Sequence, residues 1–147
     1  MQRPEDRPID FRIFKTVDSV EAAYPAGAEI IGPGTASATM YVVKKGIVAV
    51  QIKGVTVEQI TEGNIFGEMG IVDPRAHTAN IFAVTDVSLS VINREQFLRL
   101  VGETPTFSLR IMRILARRIR AMNARLSEAD GLVGRPAVVT QLHVVEA

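Results

Sequence analysis

The sequence predicts a mainly β domain, a jelly-roll-like antiparallel β barrel (double-stranded β-helix) flanked by an N-terminal helical segment and by C-terminal helices. Glycines punctuate the first half of the chain, and the segments between them are rich in β-branched residues. Residues 87–91 alternate apolar and serine side chains, which is the period of a strand with one apolar face. The last third instead carries apolar residues at the three-to-four residue spacing of a helix.

The first elements follow from the order of these patterns. A short apolar segment at 9–14 is expected to begin with a helical turn and to pack on the barrel. Strands are then expected at 40–43, 47–52 and 55–60, where single glycines plus polar residues separate β-branched runs. The alternating segment at 87–91 supplies a later strand.

Two helices are expected after the last strand. Asn93 can cap the first with Gln96 reaching back, and Gly102 is expected just past its end. The second, at about 104–128, starts with Thr104 as cap and a proline at the first helical position. One face of this helix is apolar, formed by Ile111, Leu115, Ile119, Met122 and Leu126. Another face gathers arginines, with Arg110, Arg113, Arg117 and Arg120 at similar spacing.

Composition indicates one globular domain at 1–130 followed by a short tail at 131–147 that could add a strand. The chain has 147 residues, 47% hydrophobic and 22% charged, and its net charge of +1 does not by itself imply a nucleic-acid or membrane partner. The charged start at 1–10 is unlike a secretory signal, and no apolar run reaches membrane-spanning length. We therefore expect a cytoplasmic protein without membrane contact.

Residues 63–79, which read GNIFGEMGIVDPRAHTA, carry the main functional signal. They resemble the phosphate-binding cassette of cyclic-nucleotide-binding domains, in which Phe-Gly-Glu-(Leu/Met)-Ala/Gly is followed by Pro-Arg-Ala/Thr-Ala. The segment 66–70 matches the first half, and the resemblance extends over roughly 14–126. It implies the stand-alone bacterial type of this family, without a helix-turn-helix, a cyclic GMP or cyclic AMP ligand, and no cofactor. The residues expected to form the ligand site are Phe66, Gly67, Glu68, Met69, Arg75, His77, Thr78 and Ala79.

The chemistry of these residues suits a cyclic phosphate attached to a ribose. A helix start offers unpaired N–H groups to an anion, and Gly67 has no side chain to obstruct the approach of a ligand. Glu68 has the wrong charge for phosphate, and the resemblance implies that it accepts a hydrogen bond from a ribose hydroxyl. Thr78 follows the phosphate position, where relatives that prefer cyclic GMP often carry threonine, so a modest cyclic GMP preference is expected.

The residue at the phosphate position is the main departure from the family. Protein-kinase-like members place an arginine nine positions after the glutamate, and that position is His77, whereas Arg75 lies seven positions after Glu68. The register without gaps is favoured because it aligns residues 78–81, Thr-Ala-Asn-Ile, with the same four residues in channel members. Histidine offers one N–H per nitrogen and a pH-dependent charge, whereas arginine grips two oxygens. Arg75 stays the second candidate.

Several functions remain open. The first is a regulatory module that responds to a ligand through movement of the long helix, with a homodimer formed through the face from Ile111 to Met122. The second is a degenerate relative without ligand that serves as a dimerisation or interaction module, or as a subunit of a transcription-regulatory assembly. The third is a sensor of another small anion. No catalytic or metal-ligating spacing is present, so we expect no enzyme and no metal site. About twenty residues follow the long helix, too few for a helix-turn-helix, so direct DNA binding is not expected.

Overall fold

The computed structural model describes residues 3, 9–35, 37–73 and 79–131, of which 129–131 are described by their backbone only. Contacts divide the chain into two units, one up to Met112 and one from Arg113 onwards. Within the described residues, a 3-10 helix, Phe11–Val17, precedes eight strands and three α helices. The strands are β1 Val20–Tyr24, β2 Glu29–Ile31, β3 Thr39–Lys45, β4 Val48–Ile52, β5 Val55–Ile60, β6 Ile65–Phe66, β7 Asn80–Ala83 and β8 Val87–Asn93. The helices are α1 Met69–Val72, α2 Arg94–Glu103 and α3 Pro105–Gly131.

The predicted fold class is confirmed, with one refinement of its geometry. All strand pairs are antiparallel, and the strands form two four-stranded sheets with the orders β1-β8-β3-β6 and β2-β7-β4-β5. The two sheets are open and are not hydrogen-bonded into one closed ring. Sequence neighbours such as β3 and β4, or β7 and β8, belong to different sheets, so the chain crosses from one layer to the other as in a jelly roll.

The core of the β domain takes apolar side chains from both sheets. In the first half of β8 the side chains alternate, with Val87 and Leu89 buried and Ser88 half-buried. The predicted alternation stops at Ser90, which is 1% exposed, while Val91 is half-buried. One cluster joins these side chains to the facing sheet, and its buried members are Ile31, Val43, Val48, Ile60, Phe66, Ile81, Ala83, Val87 and Leu89.

A second group of buried side chains joins the helical segments of the first unit. The ring of Phe107, in the first turn of α3, meets Phe14 of the 3-10 helix edge-on at 6.1 Å between centroids. Phe97 of α2 meets the same ring at 5.8 Å. The apolar segment near the start of the chain is therefore helical, as the sequence predicted, and Phe14 is 1% exposed. Packing on the barrel was expected, whereas the ring contacts of Phe14 include one with Phe107 of α3.

The caps of α2 confirm one prediction and correct another. Asn93 accepts from the Gln96 amide at 2.8 Å and the Gln96 side chain accepts from the Asn93 amide at 2.8 Å, so the capping box is present. Gly102, however, does not follow the helix. It lies inside α2, which continues to Glu103 and ends at Thr104, whose amide donates to the Leu100 carbonyl. A Cβ added to Gly102 would meet no atom within 4 Å, so the surroundings do not require glycine at this position.

The division into a domain at 1–130 and a tail stays a prediction. Helix α3 extends to Gly131, and residues 132–147, where the tail and its additional strand were expected, lie outside the described part of the chain.

Candidate functional site

The first half of the cassette lies against β3. Tyr41 pairs with Phe66 in the sheet, and their rings stack at 4.7 Å with an interplanar angle of 4°. Phe66 is 2% exposed and belongs to the core cluster. Its side chain therefore anchors the cassette to the β domain, and the chain leaves the sheet directly after it.

Gly67 makes the turn out of β6. Its φ of 74° lies in the left-handed region, which favours glycine. A Cβ at this position would lie 3.1 Å from the Tyr41 ring and 3.2 Å from the Thr39 carbonyl oxygen, closer than ordinary contact distance. The backbone of the cassette thus passes close over β3, in a form that other residues adopt only with strain.

Gly70 makes a second close approach, three residues later. A Cβ on Gly70 would overlap the carbonyl oxygen of Ser37, in the connection between β2 and β3. That connection is held in place by a 2.6 Å hydrogen bond between the hydroxyls of Ser37 and Thr39. Helix α1 therefore lies against the backbone of the connection between β2 and β3 as well as against β3.

Glu68 and Met69 lie at the start of α1 with different surroundings. Glu68 has a helical backbone and forms no side-chain cap to α1, and it is half-buried. Met69 is 64% exposed, and Val72, three residues later on the same side of the helix, is 76% exposed. The carboxylate of Glu68 is therefore not used to cap its own helix.

The far end of α1 is held by a residue that the sequence gave no reason to single out. The Arg94 guanidinium donates from Nη1 to the Ile71 carbonyl oxygen at 2.5 Å. The two residues are 23 positions apart and belong to different elements, so no short-range pattern could have indicated the contact. Ser37 was missed for the same reason.

The second half of the cassette lies largely outside the described residues. This is the case for Arg75, His77 and Thr78, so the choice between Arg75 and His77 stays a prediction. Ala79 is described, half-buried, and directly precedes Asn80, which opens β7 opposite Gln51. Phe66 ends β6, Met69 begins α1, Gly67 and Glu68 connect these two elements, and Ala79 directly precedes β7.

Other kinds of site find no support in the described part of the chain. No group of three His, Asp or Glu side chains there could hold a metal ion. No helix there is long and apolar enough to cross a membrane. The pKa of the Asp10 carboxyl is lowered by a hydrogen bond from the Arg12 side chain. These two residues form an exposed ion pair in the N-terminal segment.

Comparison with known proteins gives a consistent result. The model of the cyclic nucleotide-binding domain family matches residues 21–104. The chain is similar to a cAMP-dependent protein kinase regulatory subunit of Aspergillus niger, 34% identical over 91 residues, which are 60% of this chain and 22% of that protein. It is also similar to the cGMP-dependent 3',5'-cGMP phosphodiesterase A of Dictyostelium discoideum, 40% identical over 75 residues, which are 51% of this chain and 8% of that protein.

Among solved structures, the catabolite activator protein of Thermus thermophilus superposes with a TM-score of 0.69 and 25% identity, covering 87% of this chain and 63% of that one. The chain therefore spans a minor part of the two curated relatives and somewhat under two thirds of the solved structure.

Proposed function

Because this chain belongs to the cyclic nucleotide-binding domain family, a regulatory family, we propose that it senses a cyclic nucleotide, cyclic GMP or cyclic AMP, in the part of the cassette from Phe66 to Ala79. The observation that carries the proposal is the left-handed Gly67, where an added Cβ would lie only 3.2 Å from the Thr39 carbonyl oxygen. Because Gly67 has no side chain, it does not obstruct a ligand that approaches the amides of the residues that follow it.

Each ligand group has a candidate partner. The cyclic phosphate lies against the backbone that follows Gly67 and is paired by His77, with Arg75 as the alternative. Glu68, half-buried at the start of α1, accepts from a ribose hydroxyl, which is the role that the family resemblance implies. Phe66 contributes its backbone, because its ring is used in the core.

The base, guanine or adenine, is the part of the ligand for which the chain offers the fewest candidate contacts. The two curated relatives described above carry cAMP in one name and cGMP in the other. We propose a modest preference for cyclic GMP, because a hydroxyl at Thr78 can accept from the guanine amino group, which adenine lacks there.

We place the response in α3. In the second unit, Ile119, Met122 and Leu126 are 56%, 55% and 62% exposed, and with the half-buried Leu115 they recur at spacings of four, three and four residues. This spacing is that of a coiled-coil seam, so we propose a homodimer through α3. Ile111 is buried at 5% exposure, which moves the proposed seam towards the C-terminus of the face predicted from Ile111 to Met122. Ligand acts by favouring one α3 arrangement over another.

The alternative is a relative without ligand that keeps the β domain and α3 for association, alone or in a transcription-regulatory assembly. The observation that favours it is the histidine nine positions after Glu68, where relatives carry arginine. A sensor of another small anion is the third candidate. In each case we propose a non-enzymatic protein that does not bind DNA directly.

A calorimetric titration of the whole chain with cyclic GMP and with cyclic AMP near neutral pH tests the proposal. We expect weak but saturable binding. Glu68→Ala should weaken it, whereas Glu62→Ala, an exposed glutamate in the preceding turn, should not. Absence of heat for both nucleotides at millimolar concentration, with the protein shown to be folded, would leave only the alternatives.

A further inference from the structure

Helix α1 is too short to hold its own conformation. It contains four residues, Met69–Val72, and a helix of this length is far below what is stable in water without tertiary support. Its internal bonds are those from the Gly70, Ile71 and Asp73 amides to the carbonyls of residues 67, 68 and 69, at 3.0, 3.0 and 2.7 Å. The position of the helix must therefore be fixed by contacts from other elements.

At its N-terminal end that contact is steric. Gly67 and Gly70 lie against the carbonyls of Thr39 and Ser37, so the helix cannot move towards β3. A close approach of this kind limits movement in one direction only. Movement away from β3 is opposed by burial of the Ile71 side chain, which is 5% exposed, and by a contact at the other end of the helix.

At its C-terminal end the contact is a directed bond. Arg94 Nη1 donates to the Ile71 carbonyl at 2.5 Å, in a partly buried contact. Carbonyl groups in the last turn of a helix have no partner within the helix, and a cation there also interacts favourably with the helix dipole. A charged donor makes this hydrogen bond stronger than one between neutral groups.

The start of α2, which carries Arg94, is itself held in place by hydrogen bonds. Arg94 is the first residue of α2, directly after the capping residue Asn93 at the end of β8. In the same turn, Gln96 Nε2 donates to the Val17 carbonyl at 2.9 Å and to the Asp18 carbonyl at 3.1 Å. Arg99 adds a bond from Nη2 to the Val17 carbonyl at 3.2 Å.

We propose that Arg94 is a positioning residue that holds α1, and with it the backbone at 67–69, in the conformation that receives the ligand. Its consequence for nucleotide affinity rests on the proposed function, whereas its effect on α1 does not. Arg94 touches no ligand in this proposal and acts through the Ile71 carbonyl alone.

Amide hydrogen exchange of the full chain without ligand tests the effect on α1. In Arg94→Met, which keeps the aliphatic stem, the Ile71 and Asp73 amides should exchange roughly five- to tenfold faster. The Gly63 amide lies in the turn before β6 and donates to the Val43 carbonyl. Its exchange rate should not change, so it serves as an internal reference.

Arg99→Met is the matched control, because it removes a bond from an arginine of the same helix to a carbonyl outside the cassette. It should leave the exchange of Ile71 and Asp73 within about twofold of the unmodified chain. Arg94→Lys should restore part of the protection, because an ammonium group can still donate to the carbonyl. Unchanged exchange in Arg94→Met, or equal acceleration in both methionine variants, would overturn the proposal.

A titration with cyclic GMP forms the second arm. Arg94→Met should bind roughly three- to tenfold more weakly than Arg99→Met, mainly through faster dissociation, when both variants are folded. Equal affinity of the two variants would show that α1 does not transmit the contact to the ligand. If the unmodified chain binds no nucleotide, the proposed function fails, and the exchange experiment alone decides the role of Arg94.

Discussion

Gly70 shows how closely a single position is constrained by a distant part of the chain. The family pattern accepts alanine or glycine here, but in this protein a Cβ would overlap the Ser37 carbonyl oxygen. Because the obstacle is backbone, it cannot be removed by a change of rotamer. The position is therefore restricted to glycine by the connection between β2 and β3, and the cassette motif alone does not require this.

Gly70→Ala should lower the free energy of unfolding by about 1–3 kcal/mol, the usual cost of forcing an extra group into a packed site. Gly102→Ala is the control, because Gly102 lies inside α2 with open space around it, and alanine there should stabilise by up to about 1 kcal/mol. Chemical denaturation of the two variants measures both values. Equal stability of Gly70→Ala and the unmodified chain would mean that the Ser37 connection moves aside freely.

At Thr78 the expected effect is on selectivity. Thr78→Ala should reduce the ratio of cyclic GMP to cyclic AMP affinity by roughly five- to tenfold, since one neutral hydrogen bond is worth about 1 kcal/mol. Thr61→Ala, an exposed threonine before the cassette, should leave the ratio unchanged. Competition binding with both nucleotides provides the measurement. Equal weakening for both nucleotides would remove the argument for base recognition by this hydroxyl.

Single residues were predictable where the signal is local. The capping box of Asn93 and Gln96 follows from two residues three positions apart, and the structure contains it. Arg94 and Ser37 could not be predicted, because each acts on a carbonyl or glycine more than twenty positions away. No feature of the intervening sequence specifies which distant backbone groups the fold brings to them.

At the scale of elements, α3 carries two kinds of surface. Its first turn belongs to the buried group around Phe107, which has 0% exposure. Its later part exposes Ile119, Met122 and Leu126. If Ile119 and Leu126 occupy the a positions of a heptad, Arg118 and Arg125 fall at g, and e is taken by Ala116 and Asn123.

This arrangement selects an orientation for the proposed dimer. In an antiparallel pair the g positions face each other and would bring arginine against arginine. In a parallel pair, g faces e, so Arg118 faces Asn123 of the other copy, without like-charge repulsion. We therefore expect parallel α3 helices in the dimer.

Leu115→Glu combined with Ile119→Glu should convert the dimer to a folded monomer, because both changes place charges in the seam. Arg120→Glu is the control. It changes the net charge by the same two units but lies at position b, outside the seam, and should stay dimeric. Light scattering at several protein concentrations distinguishes these outcomes. A monomeric unmodified chain at high concentration would end the idea of an α3 dimer.

Elements were predicted well where pattern and length agree. The expected strand at 55–60 coincides with β5, and the segment at 87–91 forms part of the longer β8. Gly102 was misread because glycine marks helix ends only on average, and here the end is set by Thr104 and Pro105. The apolar face of α3 could not be divided by sequence into its buried and exposed parts, since Ile111 and Ile119 are the same residue type.

Within the first unit, the two open sheets and α2 contact the cassette through β3 and through Arg94. The pairing of strands into these sheets could not be predicted from the sequence, because it joins β2 to β7 and β3 to β8, which are far apart along the chain. The sequence predicted the jelly-roll-like fold class but not these pairs. What the cassette recognises depends on the residue at the phosphate position, which is the central claim of the functional account.

Titration of the chain with cyclic GMP between about pH 8 and pH 6 tests that claim most directly. Imidazole takes up a proton near pH 6.5, and an imidazolium is favoured beside a phosphate, so affinity should rise as the pH falls. His77→Arg should bind about ten- to hundredfold more tightly at pH 8 and lose this pH dependence, because it carries a permanent charge and two donors.

Arg75→Ala, introduced into the His77→Arg variant, should then cost little affinity. The account is supported if binding is weak at pH 8, strengthens towards pH 6 and is restored by His77→Arg. It is contradicted if Arg75→Ala abolishes binding while His77→Arg adds nothing, because Arg75 would then be the residue that pairs with the phosphate.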